Sequence, residues 1–143
     1  MFNRIIPAIV VLAISVVAGA AKDEPRKEAK KEECPTLDMQ EVEGLLRQAP
    51  SCQRARVLFE ICQSGSSGDV GLGAVVIGKC EGDFLKRLGQ AQKRAYDRQQ
   101  KKCLSKYENK QGTMYRSFEA FCGADLASKY SGRFLKADHA GVK

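Results

Sequence analysis

Residues 83–122 read DFLKRLGQAQKRAYDRQQKKCLSKYENKQGTMYRSFEAFC, and this stretch decides the fold. Phe84, Leu88, Ala91, Ala95, Gln99, Cys103 and Tyr107 fall at steps of three and four, which draws one face of a helix. The stripe continues N-terminally through Cys80, Val76 and Leu72. Lys110-Gln111-Gly112-Thr113 is a turn signal, with Thr113 a candidate N-cap. Beyond it Tyr115, Phe118, Cys122, Leu126, Tyr130 and Phe134 draw a second helical stripe. Two helices joined by so short a turn pack antiparallel. With the turn centred between Gly112 and Thr113, Cys103 and Cys122 stand equally far from it, which predicts a Cys103–Cys122 disulfide. The same register sets Tyr107 against Phe118, Ala95 against Tyr130 and Ala91 against Phe134, the last two matching small with large. Gly78, Gly82 and Gly89 each cost about 1 kcal/mol relative to alanine inside a helix. A break near Gly82 follows, with the firm helix running from Asp83 to about Glu108.

Upstream, Pro35-Thr36 opens a short helix whose apolar face is Leu37, Val42, Leu45 and Leu46 and which ends near Ala49. Pro50-Ser51 restarts a helix in which Val57, Leu58 and Ile61 face inward, Phe59 being ambiguous. Ser64 to Asp69 (SGSSGD) is a turn in which the serines serve local hydrogen bonding. Val75-Val76-Ile77 is the one strand-like patch and is too isolated to build a sheet. The expected fold is all-α: a small disulfide-stapled helical bundle or hairpin of about four helices over residues 34–137, with 138–143 a flexible tail.

Met1 to Ala21 has one charge (Arg4), an apolar stretch from Ile5 to Val17, and an A-x-A cleavage site in Ala18-Gly19-Ala20-Ala21. It reads as a secretory signal. Lys22 to Glu33 (KDEPRKEAKKEE) contains nothing to bury and is expected to be a disordered charged tether. An even set of cysteines behind an export signal implies disulfides in a secreted or periplasmic protein. Cys52 and Cys62 lie on one helix about 15 Å apart, at 1.5 Å rise per residue, and cannot pair with each other. Pairing neighbours gives Cys34–Cys52 and Cys62–Cys80 beside Cys103–Cys122. No C-x-x-C spacing exists, so a cysteine metal site is not expected, nor is any cofactor.

Catalytic chemistry is poorly supplied. The chain has no tryptophan and one histidine, His139, in a terminal segment of small and charged residues. Gly73 to Cys80 (GAVVIGKC) comes one residue short of a phosphate-binding loop, with cysteine where a hydroxyl should hold magnesium and an apolar interior. An enzyme is therefore not expected. Without the signal, 23 Lys plus Arg face 17 Asp plus Glu, net +6, a balance that favours anionic partners. Lys86, Lys93, Arg94, Arg98, Lys101 and Lys102 lie off the core stripe and form a candidate anion-binding ridge. No nucleic-acid recognition motif accompanies them, so nucleic acid is not the expected partner.

Ala91-Gln92-Lys93-Arg94-Ala95-Tyr96-Asp97-Arg98, running on to Cys103 and then from Gly112 to Cys122, resembles the N-terminal domain of the LprI-like lysozyme inhibitors. These are small exported bacterial proteins. Their core segment is a glutamine, an aromatic, an arginine and a cysteine, with a second cysteine in the following helix; the matching positions here are Gln92, Tyr96, Arg98 and Cys103. Tyr96 stands for the usual tryptophan one place late, and Arg98 lies one place early. The resemblance covers about residues 80–135 and implies a disulfide-bonded helical fold, with lysozyme inhibition known for a member. The expected function is thus non-catalytic binding at the cell envelope. Two specific forms stay open: direct inhibition of a lysozyme-like hydrolase, through an acidic face of Asp38, Glu41 and Glu43, or binding of an anionic envelope polymer through the basic ridge.

Overall fold

The computed structural model describes residues 32–141; the expected signal (1–21) and the tether up to Lys31 lie outside them. Five α-helices follow in order: α1 Met39–Gln48, α2 Cys52–Cys62, α3 Asp69–Glu81, α4 Gln90–Ser105 and α5 Thr113–Gly141, with a 3-10 turn at Leu85–Arg87. No strand occurs among the described residues, and the domain is all-helical. Counting the two sides of the break near Gly82 separately gives five helices where about four were expected.

The helix starts are chemically plain. Asp38 caps α1 by accepting the N–H groups of Gln40 and Glu41, both at 2.9 Å. Leu37 precedes this cap and is 94% exposed, so the apolar face of α1 is carried by Val42 and Leu46 instead. Ser51 caps α2 through the Arg54 N–H at 3.1 Å. On α2 the positions Cys52, Ala55, Leu58, Phe59 and Cys62 are buried. That spacing is a single helical face, which takes in Phe59 and leaves Val57 turned to solvent. Gly112 has φ +111°, a conformation that favours glycine, so the last helix begins at Thr113 and is not capped by it.

Gly82 ends α3 as expected, but α4 begins only at Gln90, well after Asp83. Phe84 and Leu88 stay buried from the intervening connection. The interruption frees α4 to rotate. Its buried residues are Tyr96 and Cys103, with Ala95 and Gln100 half-buried and Tyr107 half-buried just beyond its end, while Ala91 and Gln99 are exposed. The observed face is therefore turned by one residue, about 100°, from the one drawn through Ala91, Ala95 and Gln99. Tyr96, not Ala95, meets Tyr130, with ring centroids 4.9 Å apart, whereas Tyr107 and Phe118 pair as expected at 5.7 Å.

Helix α5 lies against three others. Its small residues admit α3, which runs alongside in the same direction: Asp69 meets Ser117, and Gly73 meets Ala120. A Cβ built on Gly73 would stand 2.9 Å from the Ala120 Cβ, so the two helices approach as closely as glycine allows. On another face Phe121 stacks on Phe59 of α2 at 4.2 Å. Tyr130 and Phe134 enclose Phe84, which packs edge-on against Tyr96 at 5.2 Å.

Three disulfides tie the bundle. Cys103–Cys122 joins α4 to α5 as expected. The other two correct the neighbour pairing: Cys34 bonds to Cys62, and Cys52 bonds to Cys80. Because α2 and α3 are antiparallel, the first residue of α2 lies beside the end of α3. The far end of α2 is left to receive the chain arriving at Cys34. Glu32, read as tether, is accordingly held beside α2 by an ion pair with Arg54. Residues 138–141, read as tail, are helical, since neither proline nor glycine interrupts α5 between Arg133 and Ala140. Arg87 grips Asp138 there with two N–H···O bonds of 2.5 and 2.7 Å, which holds that carboxyl below the usual range.

Candidate functional site

The α4–α5 hairpin carries the candidate surface, and the residues beneath it explain why α4 is held so firmly. Gln92 accepts the Gly89 N–H at 3.0 Å, half of a capping box, since Gly89 has no side chain to reciprocate. Tyr96 is buried, donates its hydroxyl to Glu81 Oε1 at 2.9 Å and accepts from Gln100 Nε2 at 2.7 Å. Burial pushes its phenol well above the usual tyrosine range; the Gln100 bond works the other way, and the Glu81 carboxyl adds to the rise. Cys103 is fixed to Cys122. Of Gln92, Tyr96, Arg98 and Cys103, the three other than Arg98 thus serve the local structure. Gln92 and Arg98 are exposed, and of these only Arg98 makes no local bond.

Arg98 shares the outer face of α4 with Arg94, Lys101 and Lys102; all four are exposed. At 3.6 residues per turn they fall within a sector of roughly 100°. Lys93 does not belong with them, because it flanks the buried face and is half-covered. Lys86 sits in the 3-10 turn, on a separate element. The ridge therefore contracts from six residues to four. Part of the molecule's positive charge is spent on internal ion pairs. Arg47, Arg54, Arg56, Arg87 and Arg116 each pair with a carboxylate. Arg94, Arg98, Lys101 and Lys102 pair with none among the described residues.

The acidic face of α1 is spent on local bonds. Asp38 caps the helix, Glu41 accepts the Thr36 hydroxyl at 2.6 Å, and Glu43 pairs with Arg47 at 2.5 Å. The phosphate-loop-like Gly73–Cys80 segment is helical, with Gly73 buried against Ala120 and Cys80 in a disulfide. His139 is exposed near the end of α5. Among the described residues no group of His, Cys, Asp and Glu has the geometry to hold a metal ion, and no helix is long and apolar enough to cross a membrane.

Two features escaped the sequence. One is Asp69, fully buried at the start of α3. Its carboxyl oxygens accept the N–H groups of Ser64, Gly65 and Ser66 at 2.9–3.3 Å and the hydroxyls of Ser64 and Ser117 at 3.2 and 2.6 Å. The sequence signalled only a turn there. The other is a groove between α4 and α5, where Lys102 and Lys106 meet Lys129 over a floor of Phe118, Phe121 and Leu126. Lys129 lies 23 residues beyond Lys106 on a different helix, so no spacing rule unites them.

No protein-family model, curated protein or solved structure matches this chain.

Proposed function

We propose that this chain is a non-catalytic, secreted or periplasmic binding protein of LprI-like type that engages an anionic polymer of the cell envelope through the outer face of α4. The observation that carries the reading is the ridge of Arg94, Arg98, Lys101 and Lys102, exposed and without internal counter-charge on a helix anchored by a disulfide. Unpaired cations held on a rigid surface attract a polyanion without first breaking internal ion pairs. Inhibition of a lysozyme-like hydrolase is the less favoured form, because Glu43 is already paired with Arg47 and Asp38 is committed to the cap of α1.

The test uses the oxidised, signal-free protein and heparin as a model polyanion. Retention on immobilised heparin should fall steeply with added salt. The R94Q/R98Q/K101Q variant should bind at least tenfold more weakly with unchanged circular dichroism. Equal retention of this variant, or binding indifferent to salt, would remove the ridge from the mechanism. Slowed clearing in a lysozyme turbidity assay, unaffected by that variant, would support inhibition in its place.

A further inference from the structure

The α4–α5 groove, of about 520 Å³, combines two features that ordinary surface does not. Its floor is apolar: Phe118 is 40% exposed, and Met114, one turn earlier on α5, is 50% exposed and prolongs the strip toward the hairpin turn. Its rim is cationic. Lys102, Lys106 and Lys129 line it, and none pairs with a carboxylate among the described residues. The groove's one carboxylate, Asp125, is occupied by Arg56 of α2.

The register orders these groups along the groove. Tyr107 lies level with Phe118 and Cys103 with Cys122. Lys102 and Lys129 therefore stand toward the Leu126 end, and Phe118 and Met114 toward the turn. Lys106 holds its ammonium 5.1 Å from the centre of the Tyr107 ring, which leaves its aliphatic stem beside the apolar strip. A hydrophilic polyanion would leave the floor wet, and a neutral hydrocarbon would leave the lysines without a partner. A chain that is apolar along its length and anionic at one end answers both.

We propose that this groove binds a long-chain carboxylate, its head between Lys102 and Lys129 and its hydrocarbon tail over Phe121 and Phe118. The site shares Lys102 with the ridge, but its floor and Lys129 take no part in it, so loss of Arg94 and Arg98 tests the ridge and loss of Lys129 and Phe118 tests the groove. The test is calorimetric titration of the oxidised protein with dodecanoate below its micelle-forming concentration. One equivalent should bind. Decanoate, shorter by two methylenes, should bind about tenfold more weakly, and dodecyltrimethylammonium should not compete. K129Q and F118S should each weaken dodecanoate at least tenfold, whereas R94Q/R98Q should leave it unchanged. Equal binding of the cationic detergent, indifference to K129Q and F118S, or binding confined to anionic phospholipid vesicles would each overturn the assignment. K129Q changes one exposed side chain, so a fold defect in F118S leaves the test intact.

Discussion

The Tyr96 hydroxyl donates to Glu81 Oε1 at 2.9 Å, so the middle of α4 is bonded directly to the last residue of α3 across the connection that separates them. Burial of this phenol, reinforced by the bond to Glu81, makes stability depend on pH on the alkaline side. The native state holds the Tyr96 proton more tightly than the unfolded chain does. The stabilisation is therefore complete below the ordinary tyrosine pKa of about 10 and is lost as pH rises toward the elevated native value. Urea unfolding between pH 8 and 11 should show a progressive loss in the wild type. The Tyr96→Phe variant should be about 1–2 kcal/mol less stable at pH 8, with a flatter alkaline limb. A parallel limb in both proteins would refute the linkage.

Glycine-to-alanine exchanges on α3 should have opposite signs at Gly73 and Gly78. At Gly73 the added methyl would press on the Ala120 Cβ at 2.9 Å and on its carbonyl oxygen at 3.2 Å. Gly73→Ala should destabilise by about 1–3 kcal/mol through overpacking. At Gly78 no atom lies within 4 Å of a built Cβ, so only the helix propensity changes. Gly78→Ala should therefore stabilise by up to about 1 kcal/mol. Urea midpoints of the two variants measured side by side decide it, and equal effects would contradict the close approach of α3 to α5.

Asp69 gathers five donors from the turn and from Ser117 of α5. Asp69→Asn replaces one acceptor oxygen with a donor that faces other donors, at a cost of about 2–4 kcal/mol. Amide hydrogen exchange at residues 64–66 should accelerate well beyond the change expected from global destabilisation. Unchanged protection there would show that the carboxyl does not organise the turn.

Cysteine connectivity is a direct check. Peptide mapping without reduction should recover Cys34–Cys62, Cys52–Cys80 and Cys103–Cys122. Removal of the Cys52–Cys80 bridge by paired alanines should cost about 3–4 kcal/mol, the loop entropy of a link between residues 28 apart. Recovery of Cys34–Cys52 would overturn the antiparallel placement of α2 and α3.

Local sequence alone was enough for helix identity, the break between the first two helices at Pro50-Ser51 and the α4–α5 bridge, because each depends on spacing along one helix or across one short turn. The Cys52–Cys80 bond obeyed the same rule unnoticed: both cysteines lie 14 residues from Ser66, within the turn before α3. Symmetry about that turn would have found it, while pairing by nearest neighbour did not. The face of α4 was misplaced because Phe84 and Leu88 continued its stripe in phase, and nothing local reveals that a 3-10 turn resets the rotation between them and Tyr96.

The order of amino acids thus determined that this protein is a set of helices held by six cysteines under an excess of positive charge. Packing decided which cations remain unpaired, since Arg56, Arg87 and their carboxylates come from helices distant in the chain. It also decided that Lys102 and Lys129 line one groove with an apolar floor. Spacing along a helix is set by bond geometry within a few residues, whereas a surface shared by two helices is set by how closely their small side chains let them approach.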